Sequence, residues 1–122
     1  MHPTPESVFT TTVKATTTGP ASEATGELDL DAAPILHAAL RRALMTGPPG
    51  TILIIDLAGV TFCDSSGLNA LLLARMAAER AGRTLHLARP SHAVARLLKI
   101  TGADKVFPVD LDRAPVPHPR AG

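Results

Sequence analysis

The stretch that most constrains the fold runs from Thr51 to Ala81 and reads TILIIDLAGVTFCDSSGLNALLLARMAAERA. Its first part is a continuous apolar run at residues 52–55, closed by Asp56, which we interpret as a strand terminator. Such a run is typical of a strand covered on both faces, as in a parallel sheet. A loop with Asp-Ser-Ser-Gly at residues 64–67 follows, and then a helix. The large apolar residues that predict one face of this helix are Leu68, Leu71, Leu72 and Met76.

Three oxygen-bearing side chains lie where this helix begins. Asp64, Ser65 and Ser66 all suit the N-cap region, where a side-chain oxygen accepts hydrogen bonds from the first free N–H groups of a helix. The positive end of the helix dipole also favours negative charge at this place. We therefore look for function at the start of this helix.

Length, charge and composition narrow the classes of protein to consider. The chain has 122 residues, which predicts one domain, and its one cysteine, Cys63, excludes an intramolecular disulfide. A net charge of +1 and 2% aromatic residues supply neither the basic surface nor the stacking side chains of nucleic-acid binding. The first residues do not resemble a signal peptide, and no apolar run reaches the roughly 18 residues of a membrane span. We expect a soluble cytoplasmic protein that binds neither nucleic acid nor membrane.

The segment before the first helix predicts a β-hairpin. Residues 8–18 are rich in threonine and predict an edge strand, with Val8 and Val13 as its apolar anchors. Gly19-Pro20 predicts a turn, and residues 21–28 predict the second strand.

The remainder of the chain alternates helices and strands. Pro34 in a first turn and the Gly-Pro-Pro-Gly at residues 47–50 predict a helix between them. After the organising strand and helix we predict a strand at 84–88, a helix from Ser91 to Gly102 and a last strand at 106–109. The order β-β-α-β-α-β-α-β predicts an α/β fold with helices packed against a mixed sheet. We expect one domain over residues 8–110, with flexible tails at 1–7 and 111–122.

A catalytic serine is the first alternative to weigh at residues 64–67. A hydrolase serine usually lies in a Gly-x-Ser-x-Gly turn beside a histidine base, whereas this chain has Cys63 where the first glycine would be. None of the five histidines has a partner evident from the sequence. We rank a catalytic triad far below a capping role for Ser65 and Ser66.

Phosphate, metal and thiol chemistry are also poorly supported. Gly59 and Gly67 flank the loop, but no Gly-Lys-Ser/Thr follows and the nearby charges are acidic. Asp56, Cys63 and Asp64 do not have the spacing of a known metal site. We interpret Cys63 as a small, partly buried filler rather than a reactive thiol. We therefore expect no catalytic residue, metal or cofactor.

Three segments in sequence order resemble one family. Gly26-Glu27-Leu28-Asp29, the strand ending Asp56-Leu57 and the stretch Phe62-Cys63-Asp64-Ser65-Ser66-Gly67-Leu68 are together similar to the STAS domains of bacterial anti-sigma-factor antagonists. The resemblance extends from about Val8 to Asp110.

The resemblance implies a function and its residues. In that family the anti-sigma factor is a serine kinase that uses ATP, and the serine it phosphorylates corresponds to Ser65. The unphosphorylated antagonist binds the anti-sigma factor and releases the sigma factor, and a phosphatase restores this form. Asp29 and Asp64 match positions of that family near the partner surface. The residues that we expect the partner to contact are Asp29, Asp64, Ser65, Ser66, Gly67 and Leu68. Leu68 would supply apolar surface to the interface, but it suits the core equally well.

Two other functions remain open from the sequence. The same fold serves as a subunit of stress-signalling assemblies and as the cytoplasmic part of some transporters, and we rank this possibility second. A small serine hydrolase ranks third.

Overall fold

The computed structural model describes residues 9–16, 19–46 and 50–110, and all statements below concern these residues. They form five strands and three α-helices. The elements, in chain order, are β1 (Thr10–Thr16), β2 (Gly19–Leu28), α1 (Ala33–Leu44), β3 (Ile52–Cys63), α2 (Ser65–Arg80), β4 (Thr84–Ala88), α3 (His92–Thr101) and β5 (Val109–Asp110).

The strands form one mixed sheet in the order β1-β2-β3-β4-β5. β1 and β2 are antiparallel, whereas β2, β3, β4 and β5 are parallel to their neighbours. Each parallel connection passes through a helix, as a crossover between parallel strands requires. The predicted α/β class and the order β-β-α-β-α-β-α-β are confirmed.

The first half of strand β3, residues 53–57, is buried on both faces of the sheet. Leu53, Ile55 and Leu57 lie on the face that packs against the three helices, together with the buried leucines of α1 and α2 and with Val94 of α3. Ile54 lies on the opposite face and forms a smaller cluster with two alanines of the neighbouring strands. The apolar run at residues 52–55 thus has the structure that its sequence predicted.

Asp56 does not end β3, so its interpretation as a strand terminator is wrong. The strand continues to Cys63, and Asp56 is itself buried. The charge is tolerated because Arg89 donates to one carboxylate oxygen, Oδ2, and the backbone N–H of Ala58 donates to the other. The carboxylate after the apolar run is therefore a buried partner of an ion pair with the exposed Arg89, and not a strand end.

The two ends of the sheet also differ from the sequence prediction. Thr16 pairs with Gly19, so Gly19-Pro20 belongs to β2 and the connection falls at residues 17 and 18, outside the described residues. The apolar anchor at the start of β1 is Phe9, whereas Val13 is exposed, and Val8 is not among the described residues. At the other end, a 3-10 turn at Ala103–Lys105 shortens the last strand to Val109–Asp110. The predicted flexible tails, 1–7 and 111–122, lie outside the described residues.

Small residues, rather than leucines alone, form the buried face of α2. Leu68 and Leu71 are buried as predicted, but Met76 is exposed. The core-facing positions that the prediction missed are occupied by Gly67, Ala70, Ala74 and Ala78. A pattern of large apolar residues does not include these positions, because alanine and glycine side chains are small. They mark the face of α2 on which α1 packs closely.

Arg83 joins the end of α1 to the start of β4. Its side chain is buried, and Nη1 donates to the backbone carbonyls of Ala43, Leu44 and Thr46, while Nε donates to that of Thr51. A cation at the carboxyl end of a helix satisfies carbonyls that lack a partner within the helix. This contact fixes the carboxyl end of α1, whereas the amino end of α1 lies at the opposite edge of the sheet.

Candidate functional site

The carboxyl ends of β2 and β3 lie side by side. Leu28 pairs with Cys63 in the parallel ladder, and the N–H of Asp64 donates to the carbonyl oxygen of Leu28 at 3.3 Å. Asp29, the residue that follows β2, accepts a hydrogen bond at Oδ1 from the N–H of Ala32, just before α1. Both helices therefore begin at the same edge of the sheet, and Asp29 and Asp64 come together there.

Asp64 is the N-cap of α2. Its backbone is extended, with φ −112° and ψ −171°. Oδ1 accepts from the N–H of Ser66 at 2.9 Å and from the N–H of Gly67 at 3.2 Å. Of the three candidates for the N-cap, Asp64 is therefore the one that caps the helix. The hydroxyls of Ser65 and Ser66 do not act as caps.

Ser65 is the first residue of α2, and its side chain is exposed, whereas Ser66 is half-buried. The exposed hydroxyl lies at the positive end of a 16-residue helix, next to the Asp64 carboxylate. A reagent in solution can therefore reach Ser65 without any rearrangement of the domain.

Gly67 allows the start of α2 to lie against the end of β2. A Cβ atom at this position would be 2.6 Å from both the carbonyl oxygen and the Cγ of Leu28, and 3.0 Å from Sγ of Cys63. The carbonyl belongs to the backbone of a buried strand and has little room to move. Position 67 thus requires the absence of a side chain, because the helix approaches the strand this closely.

Cys63 contributes packing beneath the site. Its Sγ donates a long hydrogen bond, 3.6 Å, to the carbonyl oxygen of Asp64. Burial, followed by the neighbouring charge of Asp64, raises the pKa of the thiol from 9.0 to about 11. The sulfur is therefore protonated at neutral pH, as expected of a filler and not of a reactive thiolate.

An open groove of about 270 Å³ begins beside Ser66 and runs between the first halves of α1 and α2. Four of its lining residues are exposed and the others are half-buried or buried. The lining, which we call the α1–α2 groove, consists of Leu30, Ala33, Pro34, His37, Ser66, Asn69, Ala70 and Leu73.

Comparison with known proteins decides the family. The family model described as "Mlab, STAS domain" matches residues 12–111, which is most of the chain. This chain belongs to the STAS domain family. Its structure is similar to that of an anti-sigma factor antagonist from Mycobacterium paratuberculosis, with 29% identity, a TM-score of 0.74 and 87% of each chain covered.

A second solved structure supports the fold of this STAS domain. The anti-sigma factor antagonist SpoIIAA in its unphosphorylated form shares 24% identity, with a TM-score of 0.65. The match covers 84% of this chain and 90% of SpoIIAA. The structural neighbours are thus anti-sigma factor antagonists.

The STAS domain brings together the six residues expected to contact a partner, but it exposes only some of them. Asp29, Asp64 and Ser66 are half-buried, and Ser65 is exposed. Gly67 and Leu68 are buried, which agrees with the core alternative for Leu68, and the partner contact expected of both stays a prediction. Gly67 packs against Leu28, and Leu68 belongs to the core with 8% of its surface exposed. Both residues hold the start of α2 against the sheet.

The geometry of a serine hydrolase is not assembled in the described residues. Neither hydroxyl of Ser65 or Ser66 hydrogen-bonds to an imidazole there, although His37 and Ser66 line the same groove.

None of the helices in the described ranges combines the length and the apolar character that a membrane span requires.

The sequence reading missed two features of this STAS domain. The α1–α2 groove was not predicted because its walls come from two segments far apart in the chain, residues 30–37 and residues 66–73. A possible signal was Leu30, an apolar residue between Asp29 and Asp31 just before a helix. The second feature is an open cavity of about 300 Å³ that three charged residues border, Glu23, Asp56 and Arg89. Its signal was a carboxylate at the end of an apolar run.

Proposed function

We propose that this STAS domain is an anti-sigma-factor antagonist. It binds a serine-kinase anti-sigma factor, releases the sigma factor and is switched off by phosphorylation of Ser65. A phosphatase that acts on phosphoserine restores the active form, and the partners place the protein in the cytoplasm. The observation that carries the proposal is the exposed hydroxyl of Ser65 at the first position of α2, in a domain whose neighbours are anti-sigma factor antagonists.

The domain itself can accept a phosphate at this position. A phosphoserine adds a charge of about −1.5 to −2, and a helix N-terminus is a favourable place for an anion. Ser65 makes no core contact that the phosphate would displace, because its side chain already faces solvent. The Asp64 carboxylate next to it opposes the added charge, and the helix dipole offsets part of this repulsion. We therefore expect phosphorylation to leave the fold intact.

The phosphate weakens binding to the anti-sigma factor and does not destabilise the domain. Docking would remove water from a dianion that lies beside Asp64, and the nucleotide phosphates in the kinase site would repel it. A penalty of about 3 kcal/mol weakens binding more than a hundredfold, since about 1.4 kcal/mol corresponds to tenfold. A single phosphate can thus abolish docking without a conformational change.

Phosphorylation with purified components tests the assignment of the acceptor. Each serine-kinase anti-sigma factor of the source organism is incubated with ATP and with the wild type, Ser65→Ala or Ser66→Ala. Intact-mass spectrometry should show one added phosphate on the wild type and on Ser66→Ala, and none on Ser65→Ala. Ser66→Ala is the matched control because it removes the neighbouring hydroxyl and keeps the backbone N–H that Asp64 binds. A phosphate on Ser65→Ala, or none on the wild type with any of these kinases, would refute the proposal.

A further inference from the structure

From the α1–α2 groove we infer a docking pocket for one aliphatic or aromatic side chain in a basic segment of the anti-sigma factor. The inference rests on the proposed function and adds where on this domain the partner is held and what chemistry holds it. Ser66 lines the groove and is the neighbour of Ser65, the proposed phosphorylation site. A protein bound in the groove therefore lies beside Ser65.

Size and lining suit a side chain of a protein partner. The volume of about 270 Å³ falls just below the range of about 300–1,000 Å³ typical of small-molecule pockets. Leu30 and Leu73 form two apolar walls and are both exposed, while Ala33 and Ala70 leave space between the helices. A pocket that takes one large apolar anchor is a common feature of the centre of a protein interface.

The charge around the groove specifies the rest of the partner. Residues 19–40 and 50–74 contain no lysine or arginine. Asp29 and Asp31 flank the lining residue Leu30, and Asp64 caps α2 two residues before the lining residue Ser66. We call these three carboxylates the acidic rim. The first arginines along α1 and α2 are Arg41 and Arg75, which follow the lining residues of each helix. A partner with lysine or arginine next to its apolar anchor is therefore complementary in charge.

Two matched pairs of substitutions test the pocket. Leu73→Ser is compared with Met76→Ser, since both residues lie on α2 and are 45% and 46% exposed, but only Leu73 lines the groove. Leu30→Ser is compared with Ile100→Ser, since both residues are 70% exposed and only Leu30 lines the groove. The four side chains are exposed, so the variants are expected to fold, and thermal melting verifies this for each.

Affinity is measured by titration calorimetry against each purified serine-kinase anti-sigma factor of the source organism, with ADP bound. Leu30→Ser and Leu73→Ser should each weaken binding by about tenfold or more, and the two controls by less than about twofold. In stopped-flow measurements, added salt and Asp31→Asn should each lower the association rate, because they weaken the attraction between the acidic rim and a basic partner.

The possible outcomes separate this inference from the proposed function. If the wild type binds and Leu30→Ser and Leu73→Ser bind equally well, the pocket is refuted while the proposed function stands. If all four variants weaken binding alike, the pocket is refuted too. If no anti-sigma factor binds the wild type, both fail. Sedimentation of the free chain adds one more test, since a dimer that Leu30→Ser and Leu73→Ser dissociate would assign the groove to a second copy.

Discussion

The carbonyl oxygen of Leu28 lies 2.6 Å from the place where a Cβ atom of residue 67 would be, so the start of α2 rests directly on the end of β2. This close approach sets the position of the first turn of α2 relative to the sheet, and therefore the position of Ser65. It also explains why the motif contains glycine at a position where the helix itself would accept any residue.

Gly67→Ala should destabilise the domain by about 2 kcal/mol, within the range of about 1–3 kcal/mol for overpacking a core. The matched comparison is Gly59→Ala, whose Cβ would be 2.5 Å from the Cγ2 methyl of the exposed Thr25. The Cβ would also lie 3.2 Å from the carbonyl oxygen of Ala24. Rotation of the Thr25 side chain relieves the shortest contact and costs its exposed hydrogen bond to the hydroxyl of Thr10. Gly59→Ala should therefore cost about 1 kcal/mol, less than Gly67→Ala. Urea unfolding measures both, and a smaller loss for Gly67→Ala than for Gly59→Ala would contradict the close packing of α2 on β2.

The cap of α2 can be separated from the charge of Asp64. Asp64→Asn keeps a side-chain oxygen that accepts from Ser66 and Gly67, so it should stay within a few tenths of a kcal/mol of the wild type. Asp64→Ala removes the acceptor and should cost about 1 kcal/mol. Equal losses of unfolding free energy in the two variants would show that the charge, and not the hydrogen bonds, stabilises the helix.

The ion pair between Arg89 and Asp56 gives a third prediction. Nη2 of Arg89 donates to Oδ2 of Asp56 at 2.7 Å, and Nε donates to the same atom at 3.3 Å. Removal of one partner of a fully buried pair costs about 3–5 kcal/mol. Because the Arg89 side chain is 44% exposed, we expect about 2 kcal/mol for Arg89→Met.

The control for this pair is Arg75→Met, which breaks the more exposed pair between Arg75 and Glu79. It should cost less than about 0.5 kcal/mol, as exposed helix pairs do. Similar unfolding free energies for Arg75→Met and Arg89→Met would show that Asp56 does not need its partner.

The raised pKa of Cys63 predicts a dependence on alkaline pH. Its pKa is about 11 in the folded state, whereas the unfolded thiol ionises near 9.0. Between these values the unfolded state binds fewer protons than the folded state, so stability falls as pH rises through this window. Well below pH 9.0 the thiol is protonated in both states and has no effect on stability.

The comparison of the wild type with Cys63→Ala isolates this group from the lysines that titrate in the same range. The wild type should lose more unfolding free energy than Cys63→Ala between pH 9 and 11. The rate of alkylation of Cys63 by iodoacetamide should rise with an inflection near 11. An inflection near 9.0 would show that the thiol is neither desolvated nor affected by Asp64.

The sequence predicted the elements well because their signals are local. These local signals are the apolar run at residues 52–55, the N-cap region at residues 64–66, the cap at Ser91 and the stop at Gly102, each formed by residues a few positions apart. The error at Asp56 arose because its partner, Arg89, is 33 residues away. An ion pair across that separation leaves no periodic pattern in the chain.

The candidate site divides in the same way. Asp64, Ser65 and Ser66 could be assigned to the start of a helix from their spacing, and that assignment needs no tertiary contact. Which of the neighbouring side chains are exposed could not be predicted, since the burial of Leu68 and the groove beside Ser66 both depend on how α1 and α2 pack. Such packing is set by alanines and glycines, whose sequence pattern is weak.

The measurement that tests the central claim most directly compares the unmodified chain with the chain phosphorylated at Ser65. Both are titrated into the same serine-kinase anti-sigma factor, and the thermal melting and far-ultraviolet circular dichroism of both are recorded. We predict a dissociation constant at least about a hundredfold larger for the phosphorylated chain, which corresponds to about 3 kcal/mol, with unchanged circular dichroism and cooperative melting. Equal affinities, or weaker binding accompanied by loss of the folded state, would contradict a switch that acts only at the docking surface.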